Sequence, residues 1–440
     1  MGGEHPDVRL LERFMRNELQ GRERRIIVRH LLTGCPGCVD VTRRLWSLGE
    51  HPTIRVPEAW SGPEGDRRLS LDRRGASRLL DELLDHPRSG RLALICAEER
   101  FQNTALCGLL IEKSRRAGTS AEAEEMAEAA VAIAGQIDGR PCGATVARSL
   151  RARSWAHLGD ARRLGGDLAG AEEALASAEP LYGKEAADPL DLAELHSFRA
   201  CLLGEQGKLE EAGRLLDRVL SLHRSSGERH LQGRTLIQKG TIRSWAVERD
   251  GEPAARESIR LLREGLALLD EGADPGLAAN GLHRLGLLLA ETGRGEEALA
   301  AAGRARILYE ELDDASNLIR LRRLEGKAEE ALGRLDAAET ALLEARQGFL
   351  REGLGAETAL VVLELAVIYK RQRRSPDLHR LAGEISPIFR TRDIRRHIAA
   401  ALLVFRRIVE TEHANLEFLV EIARFLAGPP RCRRPALRWV

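Results

Sequence analysis

The stretch Leu324–Ala345 reads LEGKAEEALGRLDAAETALLEA, and its small residues Gly326, Gly333 and Ala338 are spaced by seven and then five. Leu285–Ala305, LGLLLAETGRGEEALAAAGRA, has the same frame at Gly286, Gly293 and Ala298, and Trp155–Leu175, WAHLGDARRLGGDLAGAEEAL, has it at Gly159, Gly166 and Ala171. Ala200, Gly207 and Ala212 make a fourth copy. Looser copies open at Gly240, with a turn lengthened around Asp250 to Pro253, and at Ala366, ending in RRSPDLHRLAGEI. The anchors 159, 200, 240, 286, 326 and 366 are therefore separated by 41, 40, 46, 40 and 40 residues. The spacing has a packing cause: a small residue in the middle of one helix admits a second helix closely, the next Gly makes the turn, and the Ala lies where the helices cross.

A period near forty marks a chain of stacked helix pairs. The frame resembles the tetratricopeptide repeat in its longer form, which implies an all-α solenoid. LALICA at Leu92–Ala97 is the one segment that passes for a strand, and charges at helical spacing beside it favour a helix. Upstream, Ser77–Leu84, Arg91–Glu99, Asn103–Arg116 and Ala121–Ile137 read as helices; downstream, Arg392–Glu410 and Ala414–Leu426 read as a last pair. Terminal units are expected to depart from the frame because one face meets water.

The composition agrees with a protein that binds other proteins or small ligands. The 440 residues carry 68 Lys plus Arg against 67 Asp plus Glu, which argues against coating nucleic acid as a main task. The longest uncharged run, Phe101–Ile111, is far too short to span a bilayer. The N-terminal MGGEHPDVRLLERF has no apolar core of a signal peptide, so a cytoplasmic location is expected, with no membrane partner. Seven cysteines, five of them isolated, do not form a disulfide framework.

The exception is Cys35-Pro36-Gly37-Cys38, within the module His5–Trp46. Helices are expected near Asp7–Glu18 and Arg22–Leu32, with a third from Val39. A Cys-x-x-Cys knuckle folds two thiolates toward one point, which suits tetrahedral Zn²⁺; His30 lies about one helical turn before it, and His5 is the candidate fourth ligand. Without metal, the same residues would be a helix C-terminal turn or a redox pair, and a redox pair wants a βαβ context. The segment resembles the zinc-binding anti-sigma factor domain, although four rather than three residues separate His30 from Cys35. That resemblance implies zinc on His5, His30, Cys35 and Cys38 and a sigma factor as partner. Four protein ligands would leave no open position, hence a structural metal, one per chain.

Leu79–Ala117, together with the repeats and Gly281–Glu310, is similar to a group of bacterial regulator-like tetratricopeptide proteins with variable N-terminal modules. The division expected is 1–48 zinc module, 49–66 linker carrying Pro52, Pro57 and Pro63, 67–427 solenoid, and 428–440 irregular basic tail.

Enzyme signatures such as GxxxxGK[ST], HExxH and GxSxG do not occur, so a non-enzymatic role is expected. The carboxylate pairs Glu172-Glu173, Glu210-Glu211 and Glu296-Glu297 recur at the expected start of second helices, where they complement the helix dipole. His196, His379 and His397 stand alone in sequence. The first helix of each pair lines the inner face of such a solenoid, and by that register Arg153, His157, Arg163, Gln238, Asn280, His283, Arg284, Arg320, Arg323, Lys327 and Lys370 are the candidate groove residues. Their excess of cations points to an acidic or C-terminal carboxylate segment of a protein or peptide, the alternative being a solvated charged face. The expected function is a regulatory adaptor that holds a protein or peptide in the groove and docks a second partner through the zinc module. A structural scaffold without sigma-factor regulation is the alternative.

Overall fold

The computed structural model describes residues 75–137, 144–182, 189–391, 396–411 and 415–427. Helices and short connections make up the described residues, with no strand among them. They divide into two compact units, the first ending at Asp188 and the second beginning at Pro189. The zinc-site candidates and the basic tail lie outside the described residues, as do the starts of the two downstream helices expected from 392 and 414.

In the first unit α1 covers residues 75–85, followed by α2 Arg88–Ala97, α3 Thr104–Arg116, α4 Ser120–Gln136, α5 Ala144–Leu164 and α6 Leu168–Ala178. Leu92–Ala97 is helical, as its flanking charges predict. Side-chain caps set three of the starts: Asn103 accepts from the Leu106 amide at 2.9 Å, Thr119 from Glu122 at 3.2 Å, and Asp167 from Gly170 at 3.0 Å. Leu83, Ile95, Phe101, Leu106, Leu110 and Ile133 form the core, and Ala129, Ala130 and Ala134 let α4 approach it.

The second unit runs α7 Pro189–Glu205, α8 Leu209–Ser225, α9 Arg229–Ser244, α10 Val247–Asp250, α11 Glu252–Leu268, α12 Pro275–Glu291, α13 Gly295–Glu311, α14 Ala315–Ala331, α15 Leu335–Glu352, α16 Gly355–Arg371, α17 Ser375–Gly383, α18 Arg396–Glu410 and α19 Leu416–Ala427. Each anchor falls inside a first helix, and the lengthened turn of the Gly240 copy is the short α10. The crossing alanines Ala171, Ala212, Ala298 and Ala338 are fully buried.

Close approach explains the anchors. A Cβ on Gly326 would lie 2.8 Å from Leu342 Cγ and 3.3 Å from the Ala338 carbonyl, both on the partner helix α15. At Gly286 the nearest atom is instead Leu324 Cδ2 at 2.8 Å, in the following repeat, so that glycine sets the stacking of α12 on α14. The turn is a Schellman motif: at Gly333 φ is 74°, its amide bonds Glu330 at 3.0 Å and the next amide bonds Glu329 at 3.0 Å. The Ala366 copy makes the same turn with Arg373 at φ 57°.

Ion pairs fasten one repeat to the next. Arg334 reaches Glu296 at 2.7 Å, and its counterpart Arg374 reaches Glu339 while lying over the Tyr369 ring at 4.6 Å. The helix-dipole reading of the paired glutamates needs a correction. Glu210, Glu211, Glu296 and Glu297 occupy first turns, but α6 starts at Leu168 and has no acid in its first turn, which leaves Glu172 and Glu173 one turn farther in.

Candidate functional site

The eleven residues of the sequence register fall on both units. Arg153, His157 and Arg163 belong to the first unit, where His157 is buried and Arg163 pairs with Asp160 on its own helix at 2.8 Å. Gln238 on α9 donates to the Ser197 carbonyl at 2.8 Å and lies 2.9 Å from Cys201 Sγ, so it ties α9 to α7. The remaining seven lie on α12, α14 and α16, the first helices of successive repeats; α12 packs on α14, and arginines of α14 reach glutamates of α16.

The repeat length brings them together, because residues about forty apart become lateral neighbours. Arg323 on α14 holds Glu364 on α16 in a two-bonded pair of 2.9 and 2.7 Å. Arg320, one turn earlier, reaches Glu357 at 3.1 Å. Lys327, one turn later, reaches Glu330 at 2.8 Å, and Glu330 also receives Arg371 at 3.0 Å. Burial works against charge on Arg323 and Lys327, yet Glu364 and the acids around it outweigh burial for both and hold them above their ordinary pKa values.

Helix α12 is different. Asn280 accepts from the buried Tyr309 hydroxyl at 2.9 Å, and the His283 ring meets Tyr309 edge-on at 6.2 Å. His283 Nδ1 is buried without a hydrogen-bond partner among the described residues. Burial, then the charges of Arg284, Arg323 and Arg320, push its imidazole down to about 3, so it is neutral near pH 7. Among the described residues Arg284 makes no ion pair, and burial, then Arg323, lower its pKa against the attraction of Glu291. Glu291 makes none either. It meets solvent, yet burial is the largest influence on its carboxyl and raises it, against Lys327, Arg323 and Arg284. A solvent-reached side chain that is nevertheless crowded by protein lies in a recessed surface. Lys370 on α16 is half-buried and has no ion pair among the described residues.

Cation counting therefore overstates the positive charge of this face. Glu291, Glu330, Glu357, Glu364 and Arg371 belong to it as well, and the repeat register could have found two of the acids. Glu364 stands two residues before the anchor Ala366 as Arg284 stands two before Gly286, and Glu291 stands five after Gly286 as Arg371 stands five after Ala366. Tyr309 comes from a second helix and has no such signal.

Among the described residues no three His, Cys, Asp or Glu side chains are grouped to hold a metal, and His5, His30, Cys35 and Cys38 lie outside them. Cys96, Cys107 and Cys201 are in no disulfide; burial pushes Cys107 up to about 11, which makes it inert. No described helix is long and apolar enough to cross a membrane.

No family model matches the sequence, and no curated protein matches it. Solved structures do. The chain is similar to aspartyl phosphate phosphatase F from Bacillus subtilis, with a TM-score of 0.51 at 12% identity over 89% of this chain and 96% of that one. It is similar to a Rap protein complexed with competence and sporulation factor, with a TM-score of 0.51 at 13% identity over 74% of this chain and 87% of that one. BtubC from P. vanneervenii matches at a TM-score of 0.40, 17% identity, 55% of this chain and 90% of that one. The fold is thus an all-α helical repeat like that of the first two structures, and the forty-residue frame predicts an all-α repeat.

Proposed function

We propose that this chain is a non-enzymatic regulatory adaptor that holds an extended protein or peptide segment on the face of α12, α14 and α16. One observation carries the reading: the inter-repeat pairs Arg320–Glu357 and Arg323–Glu364 fix a polar, recessed surface on which Arg284, Glu291 and Lys370 have no ion-pair partner among the described residues. Such a surface offers oriented charge to a ligand without first breaking an internal bond. The solved complex of a Rap protein with competence and sporulation factor supports the same use of the fold. The phosphatase name of the other neighbour belongs to a protein 12% identical and carries no activity over.

The partner chemistry expected from the sequence is narrowed. Four glutamates offset most of the cations, so a strongly acidic ligand is disfavoured and one of mixed charge fits better. The test is affinity selection of a random nonapeptide pool by the full chain and by Lys370→Glu. Enrichment of defined sequences by the wild type, changed by the substitution, supports the reading; no enrichment over the matrix contradicts it.

The structural zinc and the docking of a sigma factor belong to the same proposal and rest on the spacing of His5, His30, Cys35 and Cys38. One zinc per chain by plasma mass spectrometry, lost in Cys35→Ser, is the expected result. A metal-free wild-type chain would remove this part of the proposal and leave the repeat reading intact.

A further inference from the structure

Side chains of opposite charge on the recessed face satisfy one another in two ways. Across repeats, Arg320 and Arg323 reach Glu357 and Glu364; within a helix, Lys327 reaches Glu330 three residues on. Arg284 and Glu291 make no contact of either kind among the described residues, although each feels the other's charge. They stand seven residues apart on α12, which is nearly two full turns, so they share one face about 10 Å apart along the axis. That separation exceeds an ion-pair contact, and no ion pair joins them.

Their surroundings make both positions costly for folding alone. Arg284 loses hydration and feels the repulsion of Arg323, which the charge of Glu291 opposes, and Glu291 is crowded enough for its proton to be held more tightly than usual despite Lys327, Arg323 and Arg284. His283, next to Arg284, adds a buried Nδ1 that has no partner among the described residues. A guanidinium at one end, and a carboxylate at the other, are complementary to a ligand with the opposite order of charge.

We infer that Arg284 and Glu291 are the two poles of one dipolar subsite, in which Arg284 receives a carboxylate and Glu291 an ammonium or guanidinium about three residues away on an extended peptide. Three residues of extended chain cover about 10 Å, the axial separation of the two backbone positions. The inference rests on the peptide-holding reading above and adds to it the order and spacing of ligand charge. The carboxylate comes from a chain terminus or from an Asp or Glu side chain, and the experiment separates the two.

The full chain, Arg284→Met and Glu291→Gln are each used to select from a nonapeptide pool, prepared once with free C-termini and once amidated. Wild type is expected to enrich a carboxylate three residues from Lys or Arg. Arg284→Met should lose the acidic preference and keep the basic one, and Glu291→Gln should do the reverse. Each loss is expected to be roughly tenfold in affinity for the best free-carboxyl peptide. Because the two variants are expected to fail in opposite ways, a general folding defect cannot mimic the result. Loss of enrichment in the amidated pool alone assigns the carboxylate to a chain terminus, and its survival there assigns it to Asp or Glu; both support the subsite. Enrichment without the charge pair, or unchanged in both variants, overturns the subsite while the peptide-holding reading stands. No enrichment by the wild type overturns both.

Discussion

Arg323 and Glu364, 41 residues apart in sequence, meet in a two-bonded pair of 2.9 and 2.7 Å that joins the first helices of successive repeats. The pair is well covered, with side-chain exposures of 18% and 5%. Replacing one member by a neutral residue strands the other charge in a recessed site. Glu364→Leu is expected to destabilise the second unit by about 3 kcal/mol, and the double variant Arg323→Met, Glu364→Leu by much less. Chemical denaturation of the three proteins checks this, and equal losses in single and double variants would contradict it.

Gly233 and Gly265 bring α9 and α11 into backbone contact. A Cβ on Gly233 would lie 2.7 Å from the Gly265 carbonyl oxygen and 2.8 Å from the Leu269 nitrogen, atoms that cannot rotate away. Gly233→Ala should therefore cost about 2 kcal/mol. On α8, a Cβ at Gly213 would meet nothing within 4 Å, so Gly213→Ala should instead stabilise by about 0.5–1 kcal/mol through helix propensity. Thermal melts of the two variants are expected to shift in opposite directions.

Arg373 occupies the left-handed turn position that Gly333 fills one repeat earlier, with φ 57° against 74°. The left-handed region disfavours a residue with a Cβ by about 1–2 kcal/mol. Arg373→Gly should raise stability by about 1 kcal/mol, less the entropy that glycine adds to the unfolded chain. A lower melting temperature would show that the arginine side chain contributes more than its backbone costs.

Two groups on α12 give opposite pH signatures. His283 is depressed to about 3 in the fold, so the stability it contributes is complete above its unfolded pKa of about 6.5 and declines as pH falls from there toward 3. The wild type should lose stability over that window faster than His283→Asn, by at most ~1.4 kcal/mol per pH unit. Glu291 is raised, so its contribution is complete below the unfolded value of about 4.3 and is lost as pH rises through the folded one. Glu291→Gln should stabilise the chain near pH 7 and give no gain below about pH 4. Urea titrations across this range check both signs.

The fold was legible because its repeats place Gly326, Gly333 and Ala338 by packing and turn geometry, and those demands act on neighbours close in sequence. The Gly233–Gly265 contact lies in the copy with the lengthened turn, where the frame loosens and the register no longer points to it. The site was half legible. The inner-face register points to His283, Arg284, Arg320, Arg323 and Lys327 as candidates, but a count of cations passes over Glu364 and Glu291 at equivalent positions. Whether a charge is compensated depends on contacts across a repeat, and that is a property of lateral packing rather than of local pattern. Arg163 shows the converse, since its partner Asp160 is on its own helix and leaves it little for a ligand.

Whether the face of α12, α14 and α16 holds a peptide segment is tested most directly by amide hydrogen exchange of the full chain, with and without the best peptide from the selection. Added protection is expected in Pro275–Glu291, Ala315–Ala331 and Gly355–Arg371, with little change in the second helices Gly295–Glu311 and Leu335–Glu352. Protection confined to the second helices, or to the first unit, would contradict a peptide held on this face.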